Sequence, residues 1–214
     1  MSPFSMVRWL KSRFRSRTRT IERRPRPLRL FLEQLEDRVT PASIWIGGAL
    51  TPGNAPDINW SNPANWQAGN VPTIGAPVDL QFNGAAVYNA TNNNIVDVNG
   101  NGLTINSLTI SGNPGGLPYV ITASPGVPTT LNNPTTNSAS IVVNSGALGS
   151  QIRMDLNLGG PLSSTEFITV QAAASLTMTG KLFGNSATQL SKDGVGLLTL
   201  TNDNSGFLGP FNIN

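Results

Sequence analysis

The sequence predicts an all-β protein, with a parallel β-helix or solenoid body preceded by a basic, partly helical or disordered arm. Three observations carry this expectation: charge is segregated to one end, apolar residues of the body alternate with polar ones in short runs, and one Leu-Thr phrase recurs. Residues 1–43 hold 11 of the 14 Lys and Arg and 4 of the 11 acids. The alkaline pI of about 9.8 therefore belongs to the arm, because the rest of the chain carries more acids than cations. Such asymmetry marks a targeting segment, or one with an acidic partner.

Within the arm, Val7, Leu10 and Phe14 fall at helical spacing, with Trp9 beside them and Arg or Lys between. This short basic amphipathic pattern suits an anionic membrane surface. Pro25 and Pro27 break it. A second helical pattern runs through Leu28, Phe31, Leu32, Leu35 and Val39, with Pro27 placed as a first helical residue and Pro41 as the stop. An ordinary secretory signal is missing, since no apolar stretch of roughly 7–15 residues follows the basic start. The same absence argues against reading Arg23-Arg24 as a twin-arginine signal. No apolar run approaches the roughly 20 residues of a membrane span.

After Ser43, alternating runs separated by Gly, Asn and Pro predict strands at Val78–Phe82, Ile95–Val98, Leu103–Ile110, Tyr119–Ala123, Ser140–Val143, Ile152–Leu158, Phe167–Gln171, Ser175–Thr179 and Leu197–Thr201. The phrases beginning at Leu103, Leu108, Leu176 and Leu198 share a Leu-Thr-apolar-polar register. In a strand this sends Leu and its apolar partner to one face and Thr to the other. A period of about twenty residues with one such strand per repeat is the pattern of a solenoid coil. Turns are assigned to Gly112, Gly180, Gly194 and Gly196. A β-sandwich over part of the body, residues 44–100 above all, is the alternative arrangement.

The composition excludes much chemistry. Without His or Cys, Ser-His-Asp and Cys-His catalysis and His- or Cys-based metal sites are excluded. Asp155 with Glu166, and Asp193 with Asp203, are the acid pairs of the body, with Arg153 and Lys181 nearby in sequence. Nothing fixes the carboxylate separation that a glycoside hydrolase needs, so these are read as surface charges. The Asp97-x-Asn99-Gly100-Asn101-Gly102 stretch has Leu108 where a calcium loop needs a bidentate Glu, and is read as a turn. Trp60 and Trp66 could stack on sugars but are read as packing residues. The sequence thus assigns no catalytic, cofactor-binding or metal residues, and no cofactor.

Two resemblances sharpen the picture. Leu32-Glu33-Gln34-Leu35-Glu36-Asp37-Arg38-Val39-Thr40-Pro41 resembles the "LExLEDRxTP" segment that follows an Arg-rich leader in many bacterial surface and extracellular proteins. It implies export, with processing near the motif. Lys192-Asp193-Gly194-Val195-Gly196-Leu197-Leu198-Thr199-Leu200-Thr201, with Asn204-Ser205-Gly206 and Gly209, resembles the autotransporter-associated β-strand repeat. Leu197, Asn202 and Phe207 stand where that repeat usually has Thr, Gly and Tyr. Trp60, Asn65-Trp66, Gly69, Val71-Pro72, Gly75, Asp79 and Phe82 are similar to an opening found in the same surface proteins. That family implies a parallel β-helix displayed outside the cell; the physical reading of the tryptophans is that they cover an end of the solenoid whose first coil would otherwise expose apolar edge. A self-transporting barrel needs at least about eight strands of about ten residues. The expectation is therefore that another system exports the chain, or that it is a fragment of a longer one.

The expected domains are the targeting arm at 1–43 and the solenoid body at 44–214, with a possible capping module at 44–100 and the repeat at 190–214. The expected function is a non-enzymatic extracellular or cell-surface scaffold for adhesion or envelope structure. Its expected partners are a surface or matrix polysaccharide or protein, and the export machinery through the arm. One alternative is nucleic-acid or anionic-polymer binding through the arm, which would be steeply salt dependent. Against it, only Phe4, Trp9 and Phe14 interleave the first Arg run, and the body adds no basic face. The other alternative is a polysaccharide-processing enzyme on a β-helix.

Overall fold

The computed structural model describes residues 42–84, 88–93, 102–113, 115–160 and 163–214. The chain divides between Arg38 and Val39, and every described residue belongs to the second unit, Val39–Asn214. The basic helical patterns, the LEDRVTP motif, the expected strand Ile95–Val98 and the start of the Asp97 loop lie outside the described residues.

Among the described residues the regular structure is two short 3-10 turns, Pro63–Asn65 and Gln67–Gly69, and fifteen strands. In chain order they are β1 (Ser43–Trp45), β2 (Val78–Phe82), β3 (Asn89–Asn92), β4 (Leu103–Ile110), β5 (Val120–Ala123), β6 (Thr129–Leu131), β7 (Ser140–Val143) and β8 (Ser150–Ile152). Then come β9 (Leu156–Leu158), β10 (Ser164–Val170), β11 (Ser175–Met178), β12 (Leu182–Phe183), β13 (Thr188–Asp193), β14 (Leu197–Leu200) and β15 (Phe211–Ile213). Ten form one sheet, ordered β12-β9-β6-β4-β7-β10-β13-β15, with β2 on β4 and β1 on β2; five form another, ordered β14-β11-β8-β5-β3. Every strand pairing among the described residues is parallel. A sandwich of the immunoglobulin kind pairs its strands antiparallel, so the sandwich alternative is not what these residues form.

Parallel strands cannot be joined by a hairpin; the chain must travel back before it pairs again. Here that return runs through the other sheet rather than through a helix. From β7 the chain crosses to β8, comes back as β9, and pairs beside β7 as β10. The next two passes repeat the excursion through β11 and β12, then through β14. Inward positions consequently stack. Leu80, Leu108, Ile141 and Ile168 are register partners in succession, as are Phe82, Ile110, Val143 and Val170. All eight are buried. At roughly 1.5–3 kcal/mol for each large aliphatic or Phe side chain fully buried, these two columns alone are a major part of the core. In the other sheet Leu176, Thr177 and Met178 meet Leu198, Thr199 and Leu200. Two of the four Leu-Thr phrases therefore stack on each other as expected. The columns run out at β14 and β15, where Leu198 and Leu200 are only partly buried and Ile213 is exposed.

The other two phrases correct the repeat. Leu103-Thr104-Ile105 and Leu108-Thr109-Ile110 are halves of one strand, and the buried phase slips between them at Asn106-Ser107. The first half pairs with β6 and the second with β7, so the ten-stranded sheet turns a corner inside β4. Asp79 fills that corner: its Oδ1 accepts from Asn106 Nδ2 at 2.7 Å and from Ser107 Oγ at 2.5 Å. Asn133 Nδ2 continues the line onto Asn106 Oδ1 at 2.7 Å. The expected strand Ile152–Leu158 is two strands, β8 and β9, in different sheets. Its inward residues Ile152, Met154, Leu156 and Leu158 keep alternating straight through the bend, so period two gives no sign of it. The repeat length also departs from twenty. Axial hydrogen bonds join residues 22 apart at Leu182–Asn204, 27 apart at Ala139–Glu166 and 33 apart at Ser111–Asn144. The strands hold register while their connecting loops vary, because a longer loop adds little closure entropy.

Gly180 shows how closely successive passes approach. A Cβ there would lie 1.9 Å from the Met154 carbonyl oxygen, so only glycine fits between β11 and β12. Gly112, Gly194 and Gly196 also lie at turns after β4 and between β13 and β14.

Between β1 and β2 the chain is irregular but well tied. Asn65 is fully buried, and its Oδ1 accepts the Ala49 N–H at 2.9 Å. Its Nδ2 donates to the carbonyls of Asp57 and Asn59 at 2.9 and 3.0 Å. One amide thus satisfies three backbone groups of a loop that lacks a ladder of its own. Beside it Trp45, Trp60, Trp66 and Phe82 pack with ring centroids 5.2–6.3 Å apart. Trp66 Nε1 donates to the Trp60 carbonyl at 2.7 Å.

Asn65→Ala leaves the buried Ala49 N–H and the Asp57 carbonyl without this partner, while the Asn59 carbonyl keeps the Asn62 N–H at 3.3 Å. The expected loss is about 2–4 kcal/mol of unfolding free energy, read as the shift of a urea denaturation midpoint at unchanged slope. A loss below about 0.5 kcal/mol, the usual range of a surface change, would show that Asn65 is not the tie described.

Candidate functional site

Charged residues are the first place to look for chemistry, and the structure scatters them. Asp155 is exposed, and its Oδ1 accepts the Lys181 N–H at 2.7 Å from the next pass of the chain. Arg153 donates to Gln151 Oε1 through Nε and Nη2 at 2.9 and 2.7 Å. Asp193 Oδ1 accepts from Asn214 Nδ2 at 2.7 Å. Asp203 Oδ1 accepts the Ser205 N–H at 3.0 Å, and that bond holds its carboxyl below the ordinary value. Asp57 is likewise lowered, first by Asn62 Nδ2 at 2.8 Å and then by the Asn59 N–H at 2.9 Å. Among the described residues, no three acidic side chains converge.

Glu166 corrects the expectation of a surface charge. It occupies an inward position of β10 and is 0% exposed. Its Oε2 accepts the Ala139 N–H at 2.6 Å, while Oε1 is buried without a hydrogen-bonding partner. Burial pushes its pKa up, partly offset by the Ala139 N–H. Lys192 is a second interior charge. It stands opposite Ile168, at the end of an aliphatic column, 9% exposed, and its ammonium donates to the Gly194 carbonyl. Alternation in Ser-Thr-Glu-Phe-Ile could have placed Glu166 inside; its charge argued the opposite way.

Trp60 and Trp66 are 0% and 1% exposed. They are core residues, and the sugar-stacking alternative does not hold for them.

A surface depression on the β4–β6–β9–β12 face is the better candidate. Two neighbouring hollows, about 460 and 300 Å³, share Pro128 and Asn157 in their linings. The larger is lined by Thr104, Thr130, Asn132, Asn157 and the prolines Pro77 and Pro134. Asp155 and Phe183 line the smaller. Thr104, Thr130, Asn157 and Phe183 are register partners in succession, so they form one outward column crossing four strands. Adjacent strands lie roughly 4.8 Å apart, which sets the spacing of the column. Gly102 permits the close approach on which the floor depends, since a Cβ there would lie 1.8 Å from the Pro128 carbonyl oxygen. Asn132 at the rim is 9% exposed, and its Oδ1 has no hydrogen-bonding partner. The groove offers hydroxyls, amides and one exposed ring, with Asp155 the sole charged group among its lining residues. That arrangement can hydrogen-bond and stack; it lacks the paired carboxylates of glycoside hydrolysis. The sequence reading did not single out Thr130, Asn132, Asn157 or Phe183. Thr and Asn are common throughout the body, and only strand register brings these into line.

Glu166→Gln tests the interior carboxyl. Between the ordinary Glu pKa and the raised one, the folded state binds more protons than the unfolded chain, so this group's contribution to stability falls as pH rises through that window. The variant is expected to melt above the wild type at neutral pH and to converge with it in acid. Asp57 and Asp203 remain in both proteins, so the difference between their pH–melting curves isolates Glu166. A constant difference across pH would contradict the assignment.

Comparison of the chain with protein-family models, with curated proteins and with solved structures finds no match.

Proposed function

We propose that this chain is a non-enzymatic extracellular or cell-surface β-repeat scaffold whose body is a parallel β-helix, serving adhesion or envelope structure. The observation that carries the reading is the continuous axial register. Successive passes set apolar residues over apolar residues inside, with Glu166 and Lys192 as exceptions, and tie polar side chains to the neighbouring pass outside. Such a body is a rod that displays faces, and its carboxylates are spent on backbone N–H groups or separated from one another. The tryptophan cluster beside β1 then serves as the cap of the first coil, shielding aliphatic surface at that end. The resemblance of the arm to an LEDRxTP segment, and of residues 190–214 to an autotransporter-associated repeat, supports display outside the cell. Its partners are the export machinery at the arm, and a surface or matrix polysaccharide or protein along the body. No helix among the described residues is long and apolar enough to cross a membrane.

Cell fractionation followed by N-terminal sequencing of the native protein tests the location. Recovery outside the inner membrane, with a terminus near Pro41 to Ile44, is the expected result. Full-length protein in the cytoplasm would overturn it and shift attention to salt-dependent nucleic-acid binding by the arm. The β-helix reading has its own test. Deleting residues 197–214 removes the last pass, and stability built from neighbour contacts then falls by a step rather than vanishing. Circular dichroism is expected to show a folded β protein with a lower denaturation midpoint; complete unfolding would argue for a single closed core instead.

A further inference from the structure

We propose that the groove across β4, β6, β9 and β12 binds an extended, uncharged glycan chain, held without cleavage. The inference deepens the scaffold reading by naming the ligand class of its exposed face, though its chemistry stands on the groove alone.

Four features point to this ligand. The column Thr104, Thr130, Asn157, Phe183 repeats polar groups at the strand spacing and ends on a ring that is 38% exposed. A pyranose chain likewise presents hydroxyls at regular intervals and apolar C–H faces that pack on aromatic rings. Second, the direction matters. The groove runs across the strands, where a peptide would meet side chains and could not add its backbone to a ladder, as strand addition requires. Third, the lining residues include no Lys or Arg and one carboxylate, Asp155. A polyanion would find no counter-charge among them and would be repelled by Asp155. Fourth, Pro77, Pro128 and Pro134 stiffen the walls, so little ordering entropy opposes binding. A single carboxylate among the lining residues supplies only half of the acid–base pair that hydrolysis needs.

The test uses the purified full chain and titration calorimetry with neutral hexasaccharides of glucose (β-1,4 and β-1,3), xylose and mannose. Hexagalacturonate serves as the charged comparison, and a strand-forming peptide as the polypeptide one. At least one neutral hexasaccharide is expected to bind, be recovered uncut, and resist added salt. Phe183→Ala and Asn157→Ala, both at exposed positions, are each expected to weaken it about five- to tenfold with melting temperature preserved. Failure of every neutral hexasaccharide, tighter binding of hexagalacturonate or peptide, cleavage of the bound sugar, or affinity that survives both substitutions would each overturn the proposal. Location and binding are read separately. A cytoplasmic protein that binds neutral glycan loses the export reading and keeps the groove, whereas an exported protein that binds none does the reverse.

Discussion

Parallel pairing without helical crossovers is the constraint from which the rest of this structure follows. A parallel strand must be reached by a return path, and here, from β2 onward, each return passes through the second sheet before the chain pairs again. Every pass therefore repeats the orientation of the one before it. In-register stacking then becomes unavoidable: Leu80, Leu108, Ile141 and Ile168 line up because the backbone ladder leaves them no other place.

The same register explains a body with few charges. Its polar side chains are used along the axis, joining one pass to the next. Thr91 and Thr122 hydroxyls meet at 2.9 Å, Asn144 Nδ2 donates to Ser111 Oγ at 3.0 Å, and Ser175 Oγ accepts the Gly149 N–H at 2.7 Å. Short uncharged side chains suit this role, because they reach one strand spacing without the desolvation cost of an ion. Where a charge does enter a column, a backbone group receives it: Ala139 N–H at Glu166 and the Gly194 carbonyl at Lys192. These contacts are structural, and they withdraw two of the body's few ionisable groups from any surface chemistry.

What remains for recognition is the outer face. Most outward positions are isolated Thr, Ser and Asn, but the β4–β6–β9–β12 face gathers several of them into a groove floored by register and walled by proline. Its recognition power comes from repetition. A ligand that matches the strand spacing meets a register partner on each of the four strands, two hydroxyls, an amide and a ring in turn.

Much of this was legible in the residues. Alternation located β2, β4 and β7 to the residue, and the inward Leu and Ile positions followed from it. The all-β class, the parallel stacking of the phrases at Leu176 and Leu198, and the packing role of Trp60 and Trp66 were likewise present in the pattern. Short strands such as β6, β12 and β15 were not, since two or three residues carry no periodicity. Corners were invisible for a related reason: Ile152, Met154, Leu156 and Leu158 alternate through a bend as they would along a straight strand. Alternation in β10 points Glu166 inward while its charge argues for the surface, and tertiary structure settled that conflict and alone decided the column of the groove. Period two sets which side chains turn inward, but only the register between passes, fixed by backbone hydrogen bonds and loop lengths that differ from turn to turn, sets which residues from distant parts of the chain meet.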